Sequence, residues 1–342
     1  MKYLSILCIT AAMALACEKE SSGESYNPAL VVKATHSATV KGLVEFEAIA
    51  SSATGFQYDF GDGTTATSTD GKASHTYTSI GSTTFYVVVS AMGSAGVIET
   101  KTIPVVVTIT SAIPGLVWAD EFEITGMPSP VNWTFETGAG GWGNNELQYY
   151  TNRSQNATVS GGVLKITAMK ENYNGAAYTS ARMVTRDKFD FKYGRVEVRA
   201  KLPTGGGTWP AIWALGADFA TVGWPACGEI DIMEHVGNQQ NKIHGTLHYP
   251  GRSGGNPVSS SITIPNVSSE FHIYTLDWSA TSIKMYVDNQ LFFNEPNSTA
   301  LPFNKDFFLI VNVAMGGNFG GTVDPAFTSS SMEIDYIRVF SH

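Results

Sequence analysis

Cysteine is nearly absent. The 342 residues hold three, and two of them, Cys8 and Cys17, fall in the leader-like start. Beyond it Cys227 stands alone, which excludes an internal disulfide even in the oxidising compartment that the start implies. A lone thiol in an apolar stretch without a basic partner reads as a small core residue rather than a nucleophile. Positive charge is also scarce, with 21 Lys and Arg against 30 Asp and Glu and a net charge of −9. That balance argues against nucleic acid or anionic membrane as a partner, and weakly against sulfated polysaccharides. No long amphipathic helix can be traced. Tryptophan is missing from the first third: all seven stand at 118, 133, 142, 209, 213, 224 and 278. Residues 1–17 have a basic start, an apolar run and small residues, too short for a spanning helix and suited to an export signal.

What is present reads as an all-β chain of more than one domain, at 43% hydrophobic content. After a Ser/Gly/Glu-rich stretch, residues 29–110 are Val/Thr/Ser-rich. Strands are expected at 40–48 and 84–90 with turns at 61–63 and 93–96, a small β-sandwich. Sugar platforms stack on exposed aromatics, Trp above all. This part has no Trp, and Phe56, Tyr58, Phe60 and Tyr77 suit its core, so a spacer is the better reading than a carbohydrate-binding module. Residues 110–115 form a linker. From 115 to 342 strand follows strand with glycine turns between, the pattern of one two-sheet jelly roll whose inward-curving sheet makes an open groove.

The densest chemistry lies at Gly228-Glu229-Ile230-Asp231-Ile232-Met233-Glu234-His235. On a helix Glu229 and Asp231 would point nearly opposite ways. On a strand they share a face, because side chains alternate with period two. Strict alternation would turn Glu234 to the other face. One extra residue, a β-bulge around Ile232 and Met233, returns it, while Ile230 and one of the Ile/Met pair fill the core behind. Cleaving a sugar–sugar bond takes one carboxylate at the anomeric carbon and one carboxylic acid at the leaving oxygen. With the bulge discounted, Glu229 and Glu234 are four pleat positions apart, ~13 Å at ~3.3 Å per residue. Two side chains leaning together across a concave sheet reach the ~5–5.5 Å of a retaining mechanism. Like charges this close cannot all stay ionised, so at least one acid holds a proton at neutral pH. An acidic surface strand or a calcium site is the plainer alternative. Alternation with Ile and the nearby tryptophans favour a catalytic cleft.

The stretch closely resembles the signature of glycoside hydrolase family 16 in its bulged E-x-D-x-x-E form, typical of laminarinase-like β-1,3-glucanases. The unbulged E-x-D-x-E is typical of lichenases. The resemblance extends over residues 115–342, including the terminal strands at 116–122 and 332–339. It implies a concanavalin-like jelly roll and a retaining endo-β-glucanase acting on laminarin-like β-1,3-glucan, with mixed-linkage β-1,3/1,4-glucan as a further substrate. Glu229 would be the nucleophile, Glu234 the acid/base with a raised pKa, and Asp231 the assisting acid, hydrogen-bonded to Glu229. No catalytic cofactor is implied. Two alternatives stand beside this: a non-hydrolytic glycan-binding surface protein, and a relative acting on agar-like or carrageenan-like galactans.

Other stretches resemble known modules. Tyr58-Asp59-Phe60-Gly61-Asp62-Gly63, followed by His75-Thr76-Tyr77, resembles a PKD domain, so 29–110 is expected to be PKD/Ig-like. Leu15-Ala16-Cys17 resembles a bacterial lipoprotein box, departing from it at Ala14. That implies a signal peptide over 1–16, lipidation at Cys17, a tether over 17–28 and an exported outer-membrane lipoprotein. Glu18-Lys19-Glu20 resembles signals that carry such proteins to the cell surface. The expected partners are a β-glucan polysaccharide and the lipid anchor, with the protein a monomer.

Several groove residues are expected. The run 142–150 mixes amides, an acid and aromatics and is too polar for core. It resembles the W-x-N-x-E-x-Q-Y run beside the family's glycone subsites, with Trp142 and Asn145 as sugar contacts. Residues 179–183 and 193–200 are expected in one sheet, with Arg182 a sugar donor and Arg195 and Arg199 on solvated faces. The resemblance places Trp209 and Trp224 at the cleft and Trp213 behind it. His244, Thr246 and His248 share a strand face, with His248 a neighbour of substrate or acid. A metal pair at His244 and His248 fits a helix better than a strand. Asn312, an amide in an apolar strand, needs partners in a buried network or in the groove. A structural calcium, which the family often binds, would take the Glu121 and Gly162 carbonyls and the Asp335 carboxylate.

Overall fold

The structure is a computed structural model describing residues 29–37, 41–79, 81–109 and 113–342. The expected signal peptide, the tether with Cys17, and linker positions 110–112 lie outside the described residues.

The first part forms two antiparallel sheets. Val31–His36, Leu43–Ile49 and Lys72–Thr76 pair in that order, and Thr65–Ser68, Gly55–Asp59, Gly81–Gly93 and Gly96–Ile109 make the other. Leu43–Ile49 shows why: Val44, Phe46 and Ala48 are buried while Glu45, Glu47 and Ile49 are exposed, period two along one strand. Phe46, Tyr58, Phe60, Tyr77 and Phe85 join one hydrophobic cluster. All four aromatics expected inside are buried, so none offers a stacking platform.

Residues 116–340 build two larger sheets. The first runs, in pairing order, Gln148–Tyr150, Ala176–Ser180, Val163–Tyr173, Ser329–Phe340, Gly194–Lys201, His272–Trp278, Ser282–Val287, Gln290–Pro296. Leu116–Asp120 pairs with Ser329–Phe340, so the expected opening and closing strands are neighbours. The second runs Val258–Thr263, Lys242–His248, Glu229–His235, Thr208–Gly216, Phe307–Met315, Arg182–Val184, Thr134–Glu136. Their inner faces share one core: Leu164, Val198, Leu276, Trp278 and Ile337 from the first, Ile212, Ile230, Ile243, Val311 and Val313 from the second. This is the two-sheet sandwich expected.

Two local expectations change. Residues 179–183 do not stay in one sheet. The chain leaves the first at Ser180 and enters the second at Arg182, through the fully buried Ala181. That switch carries Arg182 to the acid-bearing sheet, while Arg195 and Arg199 remain on the other and pair with Glu197 and Asp335. Two four-residue helical turns also occur, Phe219–Val222 and Gly317–Gly320, too short for any periodic signal.

Candidate active site

Strand Glu229–His235 carries a bulge. Glu229, Ile230 and Asp231 pair with His248, Leu247 and Thr246, and pairing resumes with Glu234 opposite His244. On its other side Asp231 faces Trp213 and Met233 faces Ile212, leaving Ile232 as the extra residue. Five steps from Glu229 to Glu234 therefore span four on the partner, Leu215 to Ala211, and both acids face the same way. Both Ile232 and Met233, rather than one of them, enter the core, because the bulge turns consecutive side chains inward.

Register then defines rows across the acid-bearing face. Ser261, His244, Glu234, Ala211, Asn312, Arg182 and Glu136 make one. Ser259, Thr246, Asp231, Trp213, Ile310 and Val184 make the next. Strand alternation puts Trp209 on this face too, two residues before Ala211. Its indole Nε1 donates to Glu234 Oε1 at 3.0 Å, and Thr246 Oγ1 donates to Glu234 Oε2 at 3.3 Å. At the other end of the strand Trp224 Nε1 donates to Glu229 Oε2 at 3.1 Å, although Trp224 is 45% exposed. An open indole face beside an acid suits stacking on a pyranose.

Burial raises the pKa of all three acids. Glu229 is pushed up to about 8 by burial and then by the Glu234 charge, against the pull of Arg182 and the Trp224 N–H. Asp231 is raised well above its usual range by burial, then by Glu229 and Glu234. Glu234 is raised by burial, tempered by Trp209 and Thr246. Glu234 is raised as expected, and Glu229 and Asp231 are raised with it. Desolvation acts on every member of the trio, and such groups release protons in shared steps.

Asp231 does not make the expected hydrogen bond to Glu229. It is 4% exposed, and its buried Oδ2 has no hydrogen-bond partner. That oxygen instead faces His248 Nε2 at 3.4 Å, while Glu229 Oε1 lies 3.6 Å from the same nitrogen. The Gly254 N–H donates to His248 Nδ1 at 3.2 Å, so that nitrogen carries no proton. A neutral ring then holds its proton on Nε2, toward the two acids. Glu229, Asp231 and His248 converge within 4.8 Å, as metal ligands would. A ligating His needs a bare Nε2, which this tautomer does not offer. His248 belongs to the acid cluster.

The remaining expected residues are distributed as follows. Arg182 Nε donates to Glu136 at 2.7 Å, and the guanidinium lies 5.0 Å over Trp142 and 4.7 Å over Trp213. Its charge also lowers the pKa of Glu229. Trp142 Nε1 donates to the Gly138 carbonyl, and Asn145 Nδ2 donates to Asn318 Oδ1 at 2.8 Å. Asn312 resolves to a network: its Oδ1 accepts from Trp213 Nε1, and its Nδ2 donates to Tyr150 Oη, which donates to Glu146. Cys227 is fully buried, with its thiol pushed up to about 11 by burial. It is a core residue.

The expected calcium ligands stand beside two arginines. Arg199 Nη1 lies 2.5 Å from Asp335 Oδ2, and Arg338 pairs with the Glu121 carboxylate at 2.8 and 2.9 Å. Arg338 holds the Glu121 carboxylate rather than the carbonyl expected as a ligand, and Arg199 takes one oxygen of Asp335, so any competition with a divalent cation is at Asp335.

Sequence reasoning missed Phe319 and Asn318. Phe319 packs edge-on against Trp209 at 5.5 Å and His244 at 5.1 Å. An aromatic within Gly316-Gly317-Asn318-Phe319-Gly320-Gly321 has no periodic apolar neighbours to draw attention to it.

Comparison with known proteins agrees with this geometry. The family described as Glycosyl hydrolases family 16 matches residues 144–338, more than half of the chain. A second family, Beta-glucan synthesis-associated protein SKN1/KRE6/Sbg1, matches residues 31–230 and so stops short of Asp231 and Glu234. A beta-glucanase from Rhodothermus marinus is 46% identical over 242 residues, 66% of this chain and 84% of that protein. A glucan endo-1,3-beta-glucosidase from Cryptopygus antarcticus is 37% identical over 246 residues, 65% of this chain and 90% of its own. Among solved structures, the laminarinase from Rhodothermus marinus aligns with a TM-score of 0.63 at 45% identity, covering 66% of this chain and 96% of that one.

Proposed function

Because the chain belongs to glycoside hydrolase family 16, we propose that it is a retaining endo-β-glucanase cutting internal β-1,3 linkages of laminarin-like glucans. One observation carries the reading. The bulge at Ile232 brings Glu234 to the face of Glu229 and Asp231, so one strand addresses both ends of a scissile bond. The beta-glucanase and laminarinase names of similar proteins support the substrate.

Glu229 attacks the anomeric carbon. The bond to the leaving oxygen breaks, its electron pair goes to that oxygen, and Glu234 supplies the proton. A glycosyl ester on Glu229 results, with inversion. Glu234, now a carboxylate, takes a proton from water as the water oxygen attacks the same carbon and frees Glu229. Two inversions give retention. Burial favours the acid form of both acids; the Trp224 N–H and the Arg182 charge pull Glu229 back toward the carboxylate, while on Glu234 the Trp209 and Thr246 donors temper the same burial. Asp231 faces His248 Nε2 together with Glu229, and its own burial keeps it protonated and limits the charge of the trio. The family's reaction uses no catalytic cofactor.

Reducing-sugar release from a set of soluble polysaccharides tests this. Laminarin is expected to be cut fastest, with an early fall in mean chain length, and mixed-linkage glucan more slowly. Release from agar-like or carrageenan-like galactans alone would move the substrate class, and no release from any glycan would leave a binding protein on the same scaffold.

Residues 29–110 are read as a PKD-like spacer, supported by the Gly61-Asp62-Gly63 turn, where Asp62 Oδ2 pairs with His75 Nε2 at 2.6 Å. Cys17 is read as the lipidated residue of an exported, surface-exposed outer-membrane lipoprotein. Expressed in a bacterial host, the full chain is expected in the membrane fraction, and Cys17→Ser should release its glucanase activity into the soluble fraction. Activity that is soluble without the substitution would refute the anchor.

A further inference from the structure

We propose that Phe319 is a positioning residue that keeps water from Glu234, so that the proton donor stays protonated until the leaving oxygen arrives. The inference rests on the reading of Glu234 as that donor.

Phe319 sits on the helical turn Gly317–Gly320, held from three sides. The Gly316 N–H donates to the Gly207 carbonyl at 2.7 Å, and the Asn318 N–H donates to the Asn144 carbonyl at 2.8 Å. Asn238 Nδ2 donates to the Gly320 carbonyl at 2.6 Å. Gly316, Gly317 and Gly321 have φ of 65°, 73° and 69°, a region other residues enter at a cost, and a Cβ on Gly317 would come within 2.7 Å of the Asn144 oxygen. The turn therefore has little freedom, and it presents one aromatic side chain to a fixed place.

That place lies against two neighbours of Glu234. The Phe319 ring meets Trp209 at 87° and His244 at 80°. Trp209 is the indole that donates to Glu234 Oε1, and His244 stands opposite Glu234 on the neighbouring strand. Phe319 thus bridges the indole that holds the carboxyl and the residue paired with Glu234 on the next strand. His244 Nε2 is buried and has no hydrogen-bond partner, as expected of a nitrogen under a ring face rather than in water.

The groups facing Glu234 leave dryness as the main control. Glu229 and Asp231 lie on its own strand. His244, Thr246 and His248 lie on the next, both imidazoles held toward neutrality by burial, His244 also by Lys242 two residues before it. Trp209 comes from the strand on the other side, and the Arg182 charge acts on Glu229. A neutral bracket near two other acids raises the pKa through desolvation, and Phe319 supplies part of the seal.

The test compares wild type, Phe319→Ala, Phe319→Gln and Phe319→Leu on laminarin and on a dinitrophenyl glycoside, whose leaving group departs without a proton. In Phe319→Ala the carboxyl is wetted and its pKa falls, so the alkaline limb of the kcat–pH profile should move down by about one unit. At neutral pH the ratio of kcat on laminarin to kcat on the activated glycoside should fall about tenfold. Phe319→Gln, polar and of similar size, should do the same without opening a cavity, and Phe319→Leu should restore most of both. An unmoved limb, or equal losses on both substrates, would show a purely structural role and overturn the proposal. Glu234→Ala is run in parallel. If it splits the two substrates while the Phe319 variants do not, this inference fails alone; if it does not, the donor assignment fails and takes the inference with it.

Discussion

Glu229→Ala is expected to lower laminarin hydrolysis by roughly 10⁴-fold or more, as removal of a nucleophile does elsewhere. Added azide should restore turnover of an activated glycoside, with an α-glycosyl azide as product. The stereochemistry follows from position. Azide enters the space vacated by the Glu229 carboxyl, below the anomeric carbon, and displaces the leaving group with one inversion. Trp224 Nε1, freed from Glu229 Oε2, is left facing that space. Glu234 keeps both of its donors, Trp209 and Thr246, so acid assistance survives. Proton NMR of the product decides the matter. A β-azide, or laminarin activity near that of wild type, would remove Glu229 from the role of nucleophile.

Glu234→Ala should behave differently. Loss of the proton donor should cost about 10²–10⁴-fold in kcat/KM on laminarin, whose sugar leaving group is poor, and far less in kcat/KM on a dinitrophenyl glycoside. The glycosyl-enzyme on Glu229 still forms, but no base remains to activate water. Azide needs no base, attacks the ester from the opposite face and gives a β-glycosyl azide. The alkaline limb should also change character, because the remaining acids, Glu229 and Asp231, lose a charged neighbour that raises both. A uniform loss on both substrates, without azide rescue, would place Glu234 among the binding groups. Together the two variants separate the ends of the scissile bond by product configuration.

The bulge was legible because it is local. Period-two alternation with one offset is contained in Glu229, Asp231 and Glu234, and no distant residue is needed to state it. Trp209 and Trp224 followed from nearness in sequence and from the family resemblance. Asn312 could be seen to need partners, but Tyr150 and Trp213 come from other strands and no spacing announces them. Arg182 was visible as a charge; its move to the other sheet at Ala181 depends on where the chain packs. The pKa values were half legible. Crowded like charges can be read from spacing, whereas burial depends on how much of the rest of the chain closes over them.

By itself the sequence determined the strand periods, the kink that aligns the acids and the kind of chemistry, because each is set by neighbours a few residues apart. Only tertiary structure decided that His248 faces Asp231, that Arg182 is clamped by Glu136 between two indoles, and that Phe319 packs on Trp209 and His244. Those contacts join residues far apart in the chain. They exist only once two sheets have packed and excluded water, and the same exclusion sets the protonation of the acids.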